Sequence, residues 1–409
     1  MQGTSVPHCT VCGSDALETS VVFGLQPLST GFANAPQSEI HAATSQLSLG
    51  YCRSCGTMQL IDRFALEALR RKNPAVRFRE PVAHLSQLAE KLFALGVVEA
   101  HSKVLGLTYI DADLLNVLAD KGCHAIDCVD FEALAVHQAN CGLESIAPLV
   151  LQPEIARKIR RSKGAIDVLC ARFVLEHAES AYGFMTALLG LVRPGGHVVI
   201  EVPDASKMLA MGNHALIWEE HFTYFTQASL KQLVARLPAT LVDMARYPYA
   251  YEDALVLILR ADGAKTLETP EPGLESIGTV AENLHAFGME FAARKANLHR
   301  TLSGHIAAGE KLALFGAGHH AAKYVNFYDL AELIEFAVDD NPVKQGLFMP
   351  GTDLYIHNSR HLLESGISIC LSMLTPEAEI KVRQSIPAFF ERGGRFILAL
   401  NLAKEAGNA

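Results

Sequence analysis

Two short cysteine pairs, Cys9-Thr-Val-Cys12 and Cys52-Arg-Ser-Cys55, decide how the first part of this chain folds. Each pair fits at the tip of a tight turn, so that four thiolates converge tetrahedrally on one Zn²⁺ ion. Between the pairs lie short strand-like pieces, Ser20–Phe23 and Leu47–Tyr51. This pattern predicts a zinc ribbon whose ion is structural, because four thiolates leave no coordination position open. A redox-active dithiol pair is the alternative reading of the same spacing.

Composition limits the classes of protein that remain. The chain has 409 residues, 50% of them hydrophobic and 19% charged, and its net charge is -9. This length predicts two or three domains. The acidic balance argues against a nucleic-acid or membrane partner, because such surfaces attract basic proteins. The sequence shows neither a signal peptide nor an apolar run of the ~18 residues that cross a bilayer. We therefore expect a cytoplasmic protein.

Strands alternate with helices through the middle of the chain. This spacing predicts a mainly parallel, doubly wound sheet. The predicted elements are strands at Lys103–Thr108, His124–Asp127, Ala165–Ala171 and His197–Val202, with helices at Pro81–Leu95, Ala112–Lys121 and Ala181–Val192.

A second α/β unit follows a long helix predicted between Pro270 and Gly304. It begins with Lys311–Gly318, a strand that runs into a glycine turn, and continues with strands at Ile334–Asp339, Ile367–Met373 and Arg395–Leu400. We predict a zinc-binding domain over 1–70, a central α/β domain over 71–265, a helical linker over 266–305 and a C-terminal Rossmann-like domain over 306–409.

Three motifs in this order resemble the nucleotide-sugar C-methyltransferases of bacterial deoxysugar biosynthesis. They are the four cysteines, the block Ile217-Trp-Glu-Glu-His-Phe-Thr-Tyr-Phe-Thr226, and Asp339–Gly346 followed by Pro350-Gly-Thr352. The resemblance implies a zinc domain, a class I methyltransferase domain that binds S-adenosylmethionine (SAM), and a C-terminal Rossmann-like domain. It also implies a nucleotide-linked keto-sugar, or a related small keto compound, as the substrate, in secondary metabolite or deoxysugar biosynthesis.

The resemblance implies a reaction that removes a proton next to a keto group and methylates the resulting enolate. Such a step needs a general base and donors for the developing oxyanion. His221 is the predicted base, Glu220 lies beside it, and His177 is predicted to orient the substrate or stabilise the enolate. Trp218 stands where the family has tyrosine, and it either stacks on the substrate or packs in the core.

The expected cofactor loop departs from the family pattern. Its predicted contacts are Gly106, Thr108 and Asp111 after the first strand, Asp127 at the end of the second for the ribose hydroxyls, and Arg172. Thr108, Ile110 and Ala112 stand where small glycine-like residues let the backbone approach SAM. Two alternatives therefore stay open. One is a SAM-independent isomerase, epimerase or lyase that forms an enolate on the same fold, and the other is a non-catalytic paralogue.

The glycine turn of the C-terminal unit, Gly316-Ala-Gly318, precedes a predicted helix. Its amides are predicted to face a substrate diphosphate rather than NAD, which the same strand-turn-helix pattern also allows. His319, Lys323 and Lys344 complete this predicted substrate site.

Overall fold

The computed structural model describes residues 8–40, 43–69, 80–134, 143–262 and 277–402. The start of the long helix predicted from Pro270 lies outside these ranges. The central helix predicted from Pro81 begins at Leu85 instead.

The described strands and helices follow the order that the sequence pattern predicts. The strands are β1 (Leu17–Pro27), β2 (Thr44–Cys52), β3 (Met58–Leu60), β4 (Lys103–Gly106), β5 (Ala125–Cys128), β6 (Val168–Arg172), β7 (His197–Asp204), β8 (Thr223–Tyr224), β9 (Ala239–Tyr247), β10 (Asp253–Ala261), β11 (Leu312–Phe315), β12 (Ala337–Val338), β13 (Ile356–His357), β14 (Ile369–Ser372) and β15 (Arg395–Leu398). The helices are α1 (Leu85–Ala94), α2 (Ala112–Asp120), α3 (Ile146–Val150), α4 (Pro153–Lys163), α5 (Ala181–Leu189), α6 (Ala205–Met211), α7 (Gln227–Val234), α8 (Ile277–Ala307), α9 (His319–Phe327), α10 (Pro376–Ser385), α11 (Pro387–Glu391) and α12 (Ala399–Leu402).

The first sheet is antiparallel, in the order β1-β2-β3-β8. β1 and β2 approach so closely that a Cβ atom at Gly50 would lie 2.0 Å from the carbonyl oxygen of Glu18, so glycine is required there. The edge strand β8 comes from the middle of the chain and pairs Thr223 with Gln59 and Tyr224 with Met58. The N-terminal ribbon and the central domain are therefore joined by backbone hydrogen bonds.

The central sheet has the order β5-β4-β6-β7-β10-β9. Its first four strands are parallel, as the alternating strand and helix pattern predicts. The apolar side chains of β6 are fully buried, which is typical of a strand covered by helices on both faces. The antiparallel hairpin of β9 and β10 extends the sheet beyond the predicted strands.

The C-terminal sheet, β13-β12-β11-β14-β15, is parallel throughout. The predicted fold class, a zinc ribbon with two successive Rossmann-like α/β units, is confirmed. None of the described helices, α8 included, is long and apolar enough to cross a membrane.

His214 ties three parts of the chain together. This fully buried imidazole stacks on Phe287 of α8 at a centroid distance of 4.0 Å. Its Nε2 lies 2.7 Å from the Phe287 carbonyl oxygen, and its Nδ1 lies 2.9 Å from the Tyr328 hydroxyl. Because a carbonyl only accepts, Nε2 carries the proton and Nδ1 accepts from Tyr328. Burial, and secondarily the charge of Arg294, lowers the pKa of His214 to about 4.

We predict that His214→Gln destabilises the protein at pH 7 by roughly 2–4 kcal/mol, because Phe287 and Tyr328 lose well-placed partners. A buried histidine with a lowered pKa stays neutral in the folded state while the unfolded chain takes up a proton. Its contribution is therefore lost as the pH falls from 6.5 towards about 4, and the difference in unfolding free energy between wild type and variant should narrow over that range. Urea unfolding at several pH values measures it.

His285 is an exposed histidine of α8, the helix that carries Phe287, and His285→Gln provides the matched control. The role given to His214 would be wrong if the difference in unfolding free energy between wild type and His214→Gln stayed constant with pH. It would also be wrong if that difference equalled the one measured for His285→Gln.

Candidate functional site

The four predicted metal-ligand cysteines converge in the structure. The Sγ atoms of Cys9 and Cys55 lie 3.5 Å apart and those of Cys12 and Cys52 lie 3.6 Å apart. All four sulfurs lie within 4.8 Å of one another. Zn–S bonds of about 2.3 Å place tetrahedral sulfurs about 3.8 Å apart, so the cluster fits a zinc ion without rearrangement. The predicted four-cysteine zinc site is confirmed.

The zinc cluster is connected to the loop that carries His221. Thr10, between the first two cysteines, accepts a hydrogen bond from the Thr223 hydroxyl at 2.8 Å. The Leu60 amide donates to the Phe222 carbonyl at 3.0 Å, and the Phe222 amide donates to the Glu176 carbonyl at 2.7 Å. Phe222 is thus held from both sides, and the position of the preceding His221 is set by the zinc ribbon and the central sheet together.

The loop from Trp218 to Tyr224 closes on itself. The Tyr224 hydroxyl accepts from the Trp218 amide at 2.8 Å and donates to the Trp218 carbonyl at 3.1 Å. The His221 amide donates to the same carbonyl at 3.0 Å. These bonds hold the segment from Trp218 to His221 in a tight turn.

A cavity of about 830 Å³ opens beside this turn. It lies at the carboxyl ends of β6 and β7, where doubly wound proteins bind their ligands. Phe173 and Glu176 line it from the central sheet, and His319 lines it from the N-terminus of α9. The pocket is therefore bordered by both α/β units.

Four of the predicted residues form one aromatic cluster beside this pocket. The rings of His177 and His221 meet edge to face at 4.8 Å, and Trp218 stacks on His319 at 4.4 Å. His177 is buried, whereas His221 is partly exposed to the pocket. Burial, followed by the neighbouring His177, lowers the pKa of His221 well below 6.5. Its imidazole is consequently neutral near pH 7.

The acidic residues before His221 have different surroundings. Glu220 is fully buried beside it. Glu219 accepts hydrogen bonds from the Ser29 amide at 2.5 Å and hydroxyl at 2.9 Å, and it pairs with Lys323 at 2.5 Å. Lys323 is only 1% exposed. The prediction that Lys323 contacts a substrate phosphate fails here, because its ammonium group is already held in a buried ion pair.

Three of the residues predicted to contact SAM, Thr108, Asp111 and Arg172, form hydrogen bonds with one another. Thr108 caps the turn after β4, and its amide donates to Asp111 at 2.8 Å. The other Asp111 oxygen accepts from the Arg172 amide at 3.0 Å, and burial raises the pKa of Asp111 to about 7. A Cβ atom at Gly106 would lie 2.8 Å from Asp111, so this glycine serves internal packing.

Arg172 and Asp127 are also engaged within the protein. The fully buried Arg172 binds Glu201 at 2.5 Å, the Ile110 carbonyl at 2.9 Å and the Pro81 carbonyl at 2.8 Å. Asp127 is exposed and pairs with Lys163 at 2.7 Å. Neither residue lines the large pocket. None of the five predicted cofactor contacts lines the pocket, which lies beyond them along the same sheet edge.

One backbone amide of the glycine turn Gly316-Ala-Gly318 is already bonded to a side chain of the protein. The Ala317 amide donates to Asp339 at 2.9 Å, and Lys344 pairs with the same carboxylate at 2.9 Å. Lys344 therefore neutralises the Asp339 carboxylate. In the structure it forms this ion pair instead of being free for the predicted contact with a substrate phosphate. Gly316 adopts a left-handed φ of 97°, and a Cβ atom at Gly318 would meet open space. His319, the next residue, reaches the pocket.

Several residues that line the pocket were not predicted from the sequence. Glu176 stands directly before His177, and burial raises its pKa well above 4.5. Tyr249, Tyr251 and Glu252 come from the turn between β9 and β10. Burial raises the pKa of Glu252 to about 8. The tyrosine-rich run Tyr247-Pro-Tyr-Ala-Tyr251 was a signal in the sequence, but the hairpin that presents it was not predicted.

Three family models match consecutive parts of the chain. They are a zinc binding domain over residues 9–69, a methyltransferase domain over residues 75–242 and a C-methyltransferase C-terminal domain over residues 275–401. The zinc cluster, strands β4 to β7 of the central sheet and the C-terminal sheet fall within these three matches, in the same order.

One curated relative matches along its whole length. C-methyltransferase NovU of Streptomyces niveus is 23% identical over 417 residues, which cover 97% of this chain and 96% of the relative.

Among solved structures, 1,6-didemethyltoxoflavin-N1-methyltransferase of Burkholderia thailandensis is 16% identical and covers 44% of this chain and 80% of its own, with a TM-score of 0.30. N-methyltransferase NodS of Bradyrhizobium japonicum is 15% identical. The match covers 43% of this chain and 87% of NodS, with a TM-score of 0.29.

We predict that Cys52→Ser abolishes stoichiometric zinc binding, because a hydroxyl replaces one of four thiolate ligands. Since binding the ion stabilises the fold of such a domain, the melting temperature should fall as well. Cys128→Ser, at a half-buried cysteine outside the cluster, is the control and should retain one zinc per chain. Metal analysis and thermal unfolding check both variants. A Cys52→Ser protein with full zinc content and an unchanged melting temperature would overturn the assignment.

Proposed function

Because the chain belongs to the SAM-dependent C-methyltransferases that combine a zinc-binding domain, a methyltransferase domain and a C-terminal domain of their own, we propose that it methylates a carbon next to a keto group through an enolate. The proposed substrate is a nucleotide-linked keto-sugar or a related small keto compound of secondary metabolite or deoxysugar biosynthesis. The motif block at Ile217–Thr226 supports this choice of substrate.

The position of His221 is the observation that carries the proposal. Its ring borders the 830 Å³ cavity, while the backbone bonds of Phe222 fix its loop. A general base works only within hydrogen-bond reach of the proton it removes, so a fixed ring at a pocket wall meets the first requirement. His221 takes the proton from the carbon next to the keto group.

The proposed roles of the neighbouring residues follow from their distances. His177 lies edge to face with His221 at 4.8 Å and is itself buried, so its proposed role is to hold the His221 ring in position at the pocket wall. The buried Glu220 adjoins the base in sequence and supports it. Trp218, stacked on His319, forms an apolar wall where the two α/β units meet.

SAM, when bound, supplies the electrophilic methyl group. The predicted cofactor contacts after β4, β5 and β6 use their polar side-chain groups for bonds within the protein. The cavity beyond Phe173 is the space at this sheet edge that remains for a donor and a small substrate.

We predict that the zinc-loaded protein binds SAM and S-adenosylhomocysteine with micromolar affinity, on the order of 8 kcal/mol. Calorimetric titration of the full chain measures this affinity. A folded protein that binds neither compound would rule out the methyltransferase proposal and leave SAM-independent enolate chemistry as the function to test.

A second prediction addresses the base without the methyl donor. In deuterated water, the enzyme should exchange the acidic C–H of a nucleotide-linked keto-sugar, and His221→Gln should slow this exchange by about 10²–10⁴-fold. Nuclear magnetic resonance of the substrate follows the exchange.

His285→Gln, on the exposed face of α8, is the matched control and should exchange at the wild-type rate. Retained zinc content and SAM affinity would show that His221→Gln is folded. Wild-type exchange in that variant would refute the role of His221.

A further inference from the structure

A second group of metal-ligand side chains lies at the wall of the pocket. Glu176 and His177 are neighbours on the turn after β6, and His221 reaches them from the loop before β8. One ligand atom from each residue lies within 4.8 Å of the others. Ligands bound to one ion at about 2.1 Å lie within about 4.2 Å of one another, so small side-chain rotations complete the site.

The chemistry of this group suits a divalent transition-metal ion. Two imidazoles and one carboxylate bind Zn²⁺, Fe²⁺ and Co²⁺, and three protein ligands leave coordination positions open. Here the open positions would face the cavity, which Glu176 and His221 both line. The four-cysteine cluster differs in both respects, since its ligands are thiolates and its coordination is complete.

The carboxylate of Glu176 provides an independent observation. The residue is 1% exposed, and neither of its oxygens has a hydrogen-bond partner within the described ranges. A buried carboxylate without partners is costly, and such groups are usually paired or bound to a metal. A cation between Glu176, His177 and His221 would satisfy it.

The polar groups around the three residues are also of a type that binds cations. Among the described residues, the pocket lining includes five acidic side chains and neither lysine nor arginine. Lys207 pairs with Asp253, one of the five, at 2.8 Å. Carboxyl oxygens are potential ligands of a divalent cation, whereas an ammonium or guanidinium group in the lining would repel it. The acidic lining residues are Glu80, Glu176, Glu252, Asp253 and Glu377.

We propose that Glu176, His177 and His221 form a second metal site, which takes one divalent transition-metal ion in addition to the ribbon zinc. An imidazole nitrogen bound to the ion has no lone pair left to accept a proton. Occupancy of the site therefore blocks proton abstraction by His221, a consequence that rests on the proposed function, whereas the site itself does not. The activity becomes sensitive to metal through the same residue that performs the reaction.

The binding test uses Co²⁺ as the probe on the full, zinc-loaded chain. We expect one Co²⁺ per chain, with visible d–d absorption bands but without the near-ultraviolet charge-transfer band of cobalt thiolates, because this site has no sulfur ligand. Glu176→Gln and His221→Gln should each weaken Co²⁺ binding by on the order of 100-fold.

His320→Gln is the matched control, because His320 lines the same pocket outside the three-residue group. It should bind Co²⁺ as the wild type does, and zinc analysis should show that every variant keeps its ribbon. An absent d–d spectrum, a thiolate band, or equal affinity of wild type and Glu176→Gln would each overturn the second site.

The effect of Co²⁺ on substrate deuterium exchange distinguishes a failure of the metal site from a failure of the proposed function. If both hold, Co²⁺ should suppress substrate deuterium exchange in the wild type over the concentration range in which the d–d bands grow. Exchange that depends on His221 but does not respond to Co²⁺, with no d–d bands, refutes the metal site and leaves the proposed function intact. Bound Co²⁺ with unaffected exchange refutes the role of His221 as the base and leaves the metal site intact.

Discussion

The two backbone hydrogen bonds of Phe222 are the constraint on which the site depends. One joins Phe222 to Leu60 of the zinc-bound sheet, and the other joins it to Glu176 of the central domain. Because a residue whose backbone N–H and C=O groups are both bonded has little freedom, His221 is fixed relative to His177. A zinc ion that takes no part in the chemistry thus contributes to the geometry of the reacting groups.

Two buried ion pairs engage residues that were predicted to contact ligands. Glu219 is paired with Lys323, and Arg172 is paired with Glu201, with all four side chains essentially excluded from solvent. Removing one member of such a pair leaves a buried charge uncompensated, at a cost of about 3–5 kcal/mol. These residues are therefore interdependent, and each serves the interior of the protein instead of a ligand.

Local patterns in the sequence predicted the fold class and the zinc site, since a CxxC spacing or an alternation of β6, α5 and β7 is fixed by neighbouring residues. Pairings between distant segments were not predictable in this way. The β3–β8 pairing and the engagement of Lys323 by Glu219 join residues far apart in sequence. Likewise, Asp111 and Arg172 match cofactor positions by spacing, but only the three-dimensional structure reveals that their polar groups are satisfied internally. The site residues on the loop before β8 came from the motif resemblance, whereas the pocket wall from the β9–β10 hairpin required the structure.

Hydrogen–deuterium exchange of the backbone, measured by mass spectrometry with and without zinc, tests most directly whether the ribbon positions the His221 loop. Removing zinc should release the protection of the peptide from Trp218 to Thr226 together with that of β2 and β3, while β4, β6 and β7 stay protected. If the peptide from Trp218 to Thr226 keeps its protection after the ribbon has lost its own, the ribbon does not position His221, because the loop is then held by the central domain alone.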